Sequence, residues 1–191
     1  MPFFHILVDD NSPELPPIQI KENRIILAIR NDVDQNMHQS QMGKAIQMGL
    51  DYANANLVWD ELIYIESDVM PPANYDKDLL ETSKKLGDDW ATLDAHPVDI
   101  NGNTTYPAIV HHRIRAIDEE AGLDILPHAD FQCMLVNKEI LKLFKFTDFV
   151  SHWDILISEH LQRLGDWKFY RTRAIKTVHY AGSSREELPK V

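Results

Sequence analysis

Two short apolar runs, "RIILAI" at 24–29 and "LIYI" at 62–65, narrow the possible folds more than anything else in the sequence. Between them Met42, Ala45, Ile46, Met48, Leu50 and Ala53 recur mostly at helical spacing. A strand, an amphipathic helix over 36–53 and a second strand within about forty residues predict a βαβ unit, with a parallel strand pair and a right-handed crossover. The first run is continuous and rich in β-branched residues, the pattern of a strand covered on both faces.

The remaining pattern continues this alternation and then loosens. "FFHILV", 3–8, reads as a strand leading into the proline-rich loop "DDNSPELPP". A helix is predicted over 74–86, with Leu79, Leu80 and Leu86 apolar and Lys84 and Lys85 near its end. "WATLDAHP" and "FQCMLV" read as strands, "NKEILKLFKF" as a helix opened by Asn137, "HWDILISEHLQRLG" as a helix stopped by Gly165, and "WKFYRTRAIKTVHY" as one or two strands. Between Val98 and Pro127 the reading is irregular, with a turn at "INGNTT" and a possible strand at "YPAIV". No internal repeat appears, and one domain over 1–191 is expected.

Charge excludes several function classes. With 19 Lys and Arg against 30 Asp and Glu, the formal charge of −11 repels nucleic acid and anionic membranes unless a local patch reverses it. The basic clusters are short, Arg113 with Arg115 and Lys168 to Lys176, and suit at most one small anion. A single cysteine, Cys133, excludes an intramolecular disulfide and a structural thiolate–zinc site. The apolar stretches fall far short of the roughly 20 residues of a membrane helix, and no leader pattern opens the chain. A soluble, cytoplasmic protein without a membrane span is expected.

The chemistry concentrates where "LIYI" ends, in "DELIYIESDVMPP", 60–72. Ligands of parallel α/β sheets bind beyond the carboxyl ends of the strands. Glu66 and Asp68, two residues apart at such an end, can converge on one hard cation and its bound phosphate; magnesium and manganese are held in this way by one or two carboxylates. A solvated turn capping a strand is the plainer alternative. "RND", 30–32, lies at the end of another expected parallel strand and can reach the same crevice, Arg30 toward a phosphate and Asn31 or Asp32 toward a ribose or base. Asp94, at the end of "WATLD", is a further crevice candidate.

"LIYIESDVMPP" resembles the strand and acidic Asp-x-Asp motif of GT-A-fold glycosyltransferases, with Glu66 in place of the first acid. The resemblance extends over about residues 24–181 through the order of parts: "FQCMLVNKEILKLFKF", then "HWDILISEHLQRLG", an aromatic strand and a late His. It is closest to glycosyltransferase family 2, and a chain this small also resembles the minimal glycosyltransferases of viruses and archaea. Trp153 stands where the family has Glu, and His160 where it often has Arg. "LVDDNSP" looks like the family's base-binding loop but precedes "RIILAI", so Asp9 and Asp10 would need a permuted order.

The resemblance implies a single α/β domain, a GT-A-like, Rossmann-like three-layer fold around a mixed, mainly parallel sheet. It implies metal-dependent transfer of a sugar from a nucleoside diphosphate sugar to an acceptor hydroxyl on a glycan, protein or small molecule, with inversion. Asp68 would be the principal ligand of a divalent cation, Mn2+ or Mg2+, with Glu66 bound through water or to the ribose and His179 completing the set. Asp154 would be the catalytic base. Acceptor contacts fall on "LPHADF", with His128 and Asp130. Two rivals share these ingredients. A metal-dependent nucleotidyltransferase or phosphohydrolase would build a two-metal site from Glu66, Asp68, Asp94 and Asp154, although the 7 glycines form no phosphate loop. A non-catalytic sugar-nucleotide-binding module would bind nucleotide without turnover.

Overall fold

The computed structural model describes residues 3–9, 24–30, 38–66, 68–104, 116–149 and 153–180. The chain divides into two compact units, Met1–Asp60 with Phe144–Leu156 and Glu61–Leu143 with Ile157–Val191. Each contains both strands and helices, so the class is α/β.

In the first unit, strands β1 (Phe3–Asp9) and β2 (Arg24–Arg30) pair in parallel, Phe3 opposite Arg24 through Asp9 opposite Arg30. Helix α1 (His38–Asn56) covers the span where apolar residues recur at helical spacing. Gly43 explains its packing: a β-carbon there would stand 2.7 Å from the carbonyl oxygen of Phe146, and only a bare Cα allows that approach. Gln47 Oε1 then accepts the Phe146 N–H at 2.9 Å. The 3-10 turn Phe146–Asp148 carries an edge-on aromatic group, with Phe144 5.1 Å from Phe146 and 6.0 Å from Phe149 between ring centres.

The second unit holds strands β3 (Leu62–Ile65), β4 (Val69–Met70), β5 (Trp90–Val98), β6 (Ala116–Asp118), β7 (Leu123–Leu126), β8 (Cys133–Val136) and β9 (Lys168–His179), with helix α2 (Tyr75–Ser83). Helix α3 (Trp153–Leu164) begins in the first unit and continues into the second. Among the described residues the sheet runs β3-β8-β5-β9-β7-β6, with β4 also on β9. On one face Leu79 of α2 packs with Val69, Leu93, Leu135 and Ile175. Ile157 and Leu161 of α3 are also fully buried.

Two expectations change. β5 and β9 pair in parallel, but the other described ladders of this sheet are antiparallel, so the sheet is mixed and mostly antiparallel rather than mainly parallel. β3 itself runs antiparallel to its described neighbour β8. A covered strand reads as a continuous apolar run whichever way its neighbour points, so burial pattern does not encode direction. The helix expected from Asn137 contracts to a 3-10 turn, Ile140–Lys142. Its N-cap is Glu139, without a side-chain cap bond, rather than Asn137; Asn137 Oδ1 accepts the Glu139 N–H at 3.0 Å, and its Nδ2 is tied to the Trp90 carbonyl at 2.7 Å. The possible strand at "YPAIV" lies outside the described residues.

Candidate metal centre

The segment after β3 is folded back by backbone bonds. Glu66 N–H donates to the Gln132 carbonyl at 2.8 Å, Val69 N–H to the Glu66 carbonyl at 3.2 Å, and Tyr180 N–H to the Asp68 carbonyl at 2.9 Å. Strand β4 begins at the next residue and pairs antiparallel with the end of β9, Val69 opposite His179 and Met70 opposite Val178. This two-residue ladder joins residues more than a hundred positions apart, and it brings the late histidine to the acidic turn.

One potential ligand atom from each of Glu66, Asp68 and His179 lies within 4.8 Å of the others. His179 Nε2 faces Asp68 Oδ2 at 3.5 Å, too far for an ordinary hydrogen bond. Its other ring nitrogen, Nδ1, is buried with no hydrogen-bond partner among the described residues. Around a six-coordinate cation with ligands at about 2.1 Å, neighbouring ligands stand about 3 Å apart and opposite ones about 4.2 Å. The three donors, all within 4.8 Å of one another, are of the kind such a cation takes, two carboxylates and an imidazole nitrogen, leaving other positions for water or phosphate oxygens.

Beneath the turn, Tyr64 reports the local field. Burial raises its phenol well above the usual tyrosine value, and the negative charges of Glu66 and Asp68 raise it further. Both carboxylates thus lie close enough to Tyr64 for their charges to be felt at its phenol.

Other candidates are held by contacts of their own. Asp94 and Asp130 belong to a buried charge cluster around Arg171, which is 1% exposed. Thr92 Oγ1 donates to Asp94 Oδ2 at 3.0 Å, Asp130 N–H donates to Asp94 Oδ1 at 3.3 Å, and Arg171 Nη2 stands 3.8 Å from Asp130 Oδ2. Arg171 lies opposite Asp94 in the β5/β9 ladder and opposite Asp124 in β7/β9. The Asp124 carboxylate in turn accepts two bonds from Arg173. Sequence reading missed this cluster by taking Lys168 to Lys176 as a basic patch suited to one small anion. Lys168 instead pairs with Asp89, and Arg173 with Asp124 and Glu119. His128 is half-buried in the segment before β8.

Asp154 occupies the first turn of α3, where the macrodipole favours an acid. It falls in the first unit, whereas Glu66, Asp68 and His179 fall in the second. Arg30 and Asp9 are the last residues of their strands, with side chains outside the described residues. Asp10, Asn31, Asp32, Arg113 and Arg115 also lie outside them. No described helix is long and apolar enough to cross a membrane.

The sequence matches no protein-family model and no curated protein. Among solved structures, the chain is similar to A197 from STIV at 14% identity, with a TM-score of 0.56 over 94% of this chain and 86% of that one. Likeness at this identity speaks to the fold alone.

Proposed function

We propose that this protein is a metal-dependent glycosyltransferase of GT-A-like architecture that takes its sugar from a nucleoside diphosphate donor. The observation that carries the reading is the convergence of Glu66, Asp68 and His179, residues from two ends of the sequence that the resemblance assigns to one cation. Asp68 and Glu66 would supply hard carboxylate oxygens, and His179 an imidazole nitrogen held by the β4/β9 ladder. A bound divalent cation would offset the charge that gathers on the leaving diphosphate. Asp154 carries the role of base, and inversion with it, on the resemblance alone.

The buried charge cluster favours one metal over two. Both Asp94 oxygens accept hydrogen bonds and the residue is 1% exposed, so it is poorly suited to share a second ion with Glu66 and Asp68. This weighs against the two-metal phosphohydrolase reading.

Calorimetric titration with nucleoside diphosphates and their sugar conjugates, in Mn2+ and then in chelator, tests the proposal. The expected result is binding of one nucleotide class that vanishes with chelator and in Asp68→Ala. Asp154→Asn is expected to retain that binding and lose turnover. Metal-independent binding, or full activity in both variants, would overturn the mechanism.

A further inference from the structure

Residues 127–132, which lead into β8, are held group by group. Gln162 Nε2 donates to the Pro127 carbonyl at 2.9 Å, and Ala129 N–H donates to Ser158 Oγ at 2.9 Å. Asp130 N–H donates to Asp94 Oδ1 at 3.3 Å, and the Gln132 carbonyl accepts the Glu66 N–H at 2.8 Å. Between the last two anchors stands Phe131, buried and at φ +52°. A bulky residue in the left-handed region is strained, and such strain persists only where the surroundings over-determine it. The ring of Phe131 meets Tyr64 edge-on, 6.2 Å between centres, so the strained residue touches the strand that carries the acids.

We infer that Asp94 is a positioning residue for Glu66. Its carboxylate fixes the Asp130 amide, the left-handed turn at Phe131 follows from that anchor, and the Gln132 carbonyl is thereby held where it receives the Glu66 amide. This role rests on the metal centre proposed above and gives the buried acid a function without metal contact. The anchoring also gives a fully buried carboxylate a reason to stand at the middle of the sheet.

Amide hydrogen exchange at Glu66, read by NMR on the full chain, tests the positioning directly; Mn2+ titration tests its coupling to the metal. In Asp94→Ala, exchange at Glu66 is expected to accelerate and the Mn2+ dissociation constant to rise about tenfold, the usual scale for a residue that orients a ligand. Asp94→Asn keeps an acceptor oxygen for Asp130 N–H and is expected to restore most of both. Ser158→Ala, which frees Ala129 instead, is expected to lower stability while leaving both readouts in place. Should Asp94→Ala fail to fold, Asp94→Asn still decides: exchange at Glu66 is expected to follow exchange at Asp130, and unchanged Glu66 exchange alongside faster Asp130 exchange would overturn the inference. Unchanged Glu66 exchange in the folded variant, or equal acceleration in Ser158→Ala, would overturn the inference. If the parent binds no Mn2+, the metal reading falls with its coupling, while Glu66 exchange still decides whether Asp94 positions that residue.

Discussion

Two acidic groups in the second unit are built on the same strand and differ in how their charge is met. At one end of β9, Glu66 and Asp68 face an imidazole and are partly exposed. Near the other end, Asp94, Asp124 and Asp130 surround Arg171, with Arg173 on Asp124, and every one of these carboxylates is buried. Both look alike as counts of acids near basic residues. His179 stands beside the first, 3.5 Å from Asp68, whereas the second holds two guanidinium groups, Arg171 and Arg173, within the fold. The kind of partner, imidazole against guanidinium, separates the proposed metal centre from a structural charge layer.

Removing the internal cation should break the comparison most strongly. Arg171→Met leaves buried carboxylates uncompensated and is expected to cost about 3–5 kcal/mol in a urea unfolding titration. Asp68→Ala removes a partly exposed charge. It is expected to change stability by no more than about 0.5 kcal/mol while abolishing metal-dependent binding. Similar stability losses in the two variants would erase the distinction.

A smaller effect falls on His96. Burial lowers its pKa, and the Arg171 guanidinium lowers it further. A lowered histidine favours the neutral form in the folded state, so its contribution is present above the unfolded value of about 6.5 and is lost as pH falls through the folded value. An NMR pH titration of a folded Arg171 variant is expected to find the His96 pKa raised. No rise would place Arg171 away from His96.

The least effect is expected at Cys133, whose thiol is pushed up to about 12 by burial and by the Asp94 charge. Native protein should resist thiol reagents near neutral pH and react on unfolding. Rapid native labelling would contradict the burial of β8.

The strand ends were legible and their pairing was not. "LIYI" running into Glu66 and Asp68 marks a charged strand end, and the resemblance supplied His179 as its partner. The ladder that joins them is two residues long, too short for alternation to announce it. Strand direction was lost for a related reason, since buried strands of either sense are apolar throughout. Arg171 left a faint trace: it shares the buried side of β9 with Phe169, two residues earlier, a spacing that places both on one face. Reading the charge before the alternation put it on the surface. Asn137 stands two residues ahead of Glu139, the N-cap of the 3-10 turn that replaces the long helix, and its side chain is shared between the Glu139 N–H and the Trp90 carbonyl.

The metal centre is the central claim, and paramagnetic Mn2+ tests it most directly. Added in small amounts to protein watched by NMR, it should broaden the ring signals of His179 first among the 9 histidines, and the effect should disappear in Asp68→Ala. Broadening that spares His179, or that persists unchanged without Asp68, would contradict the account.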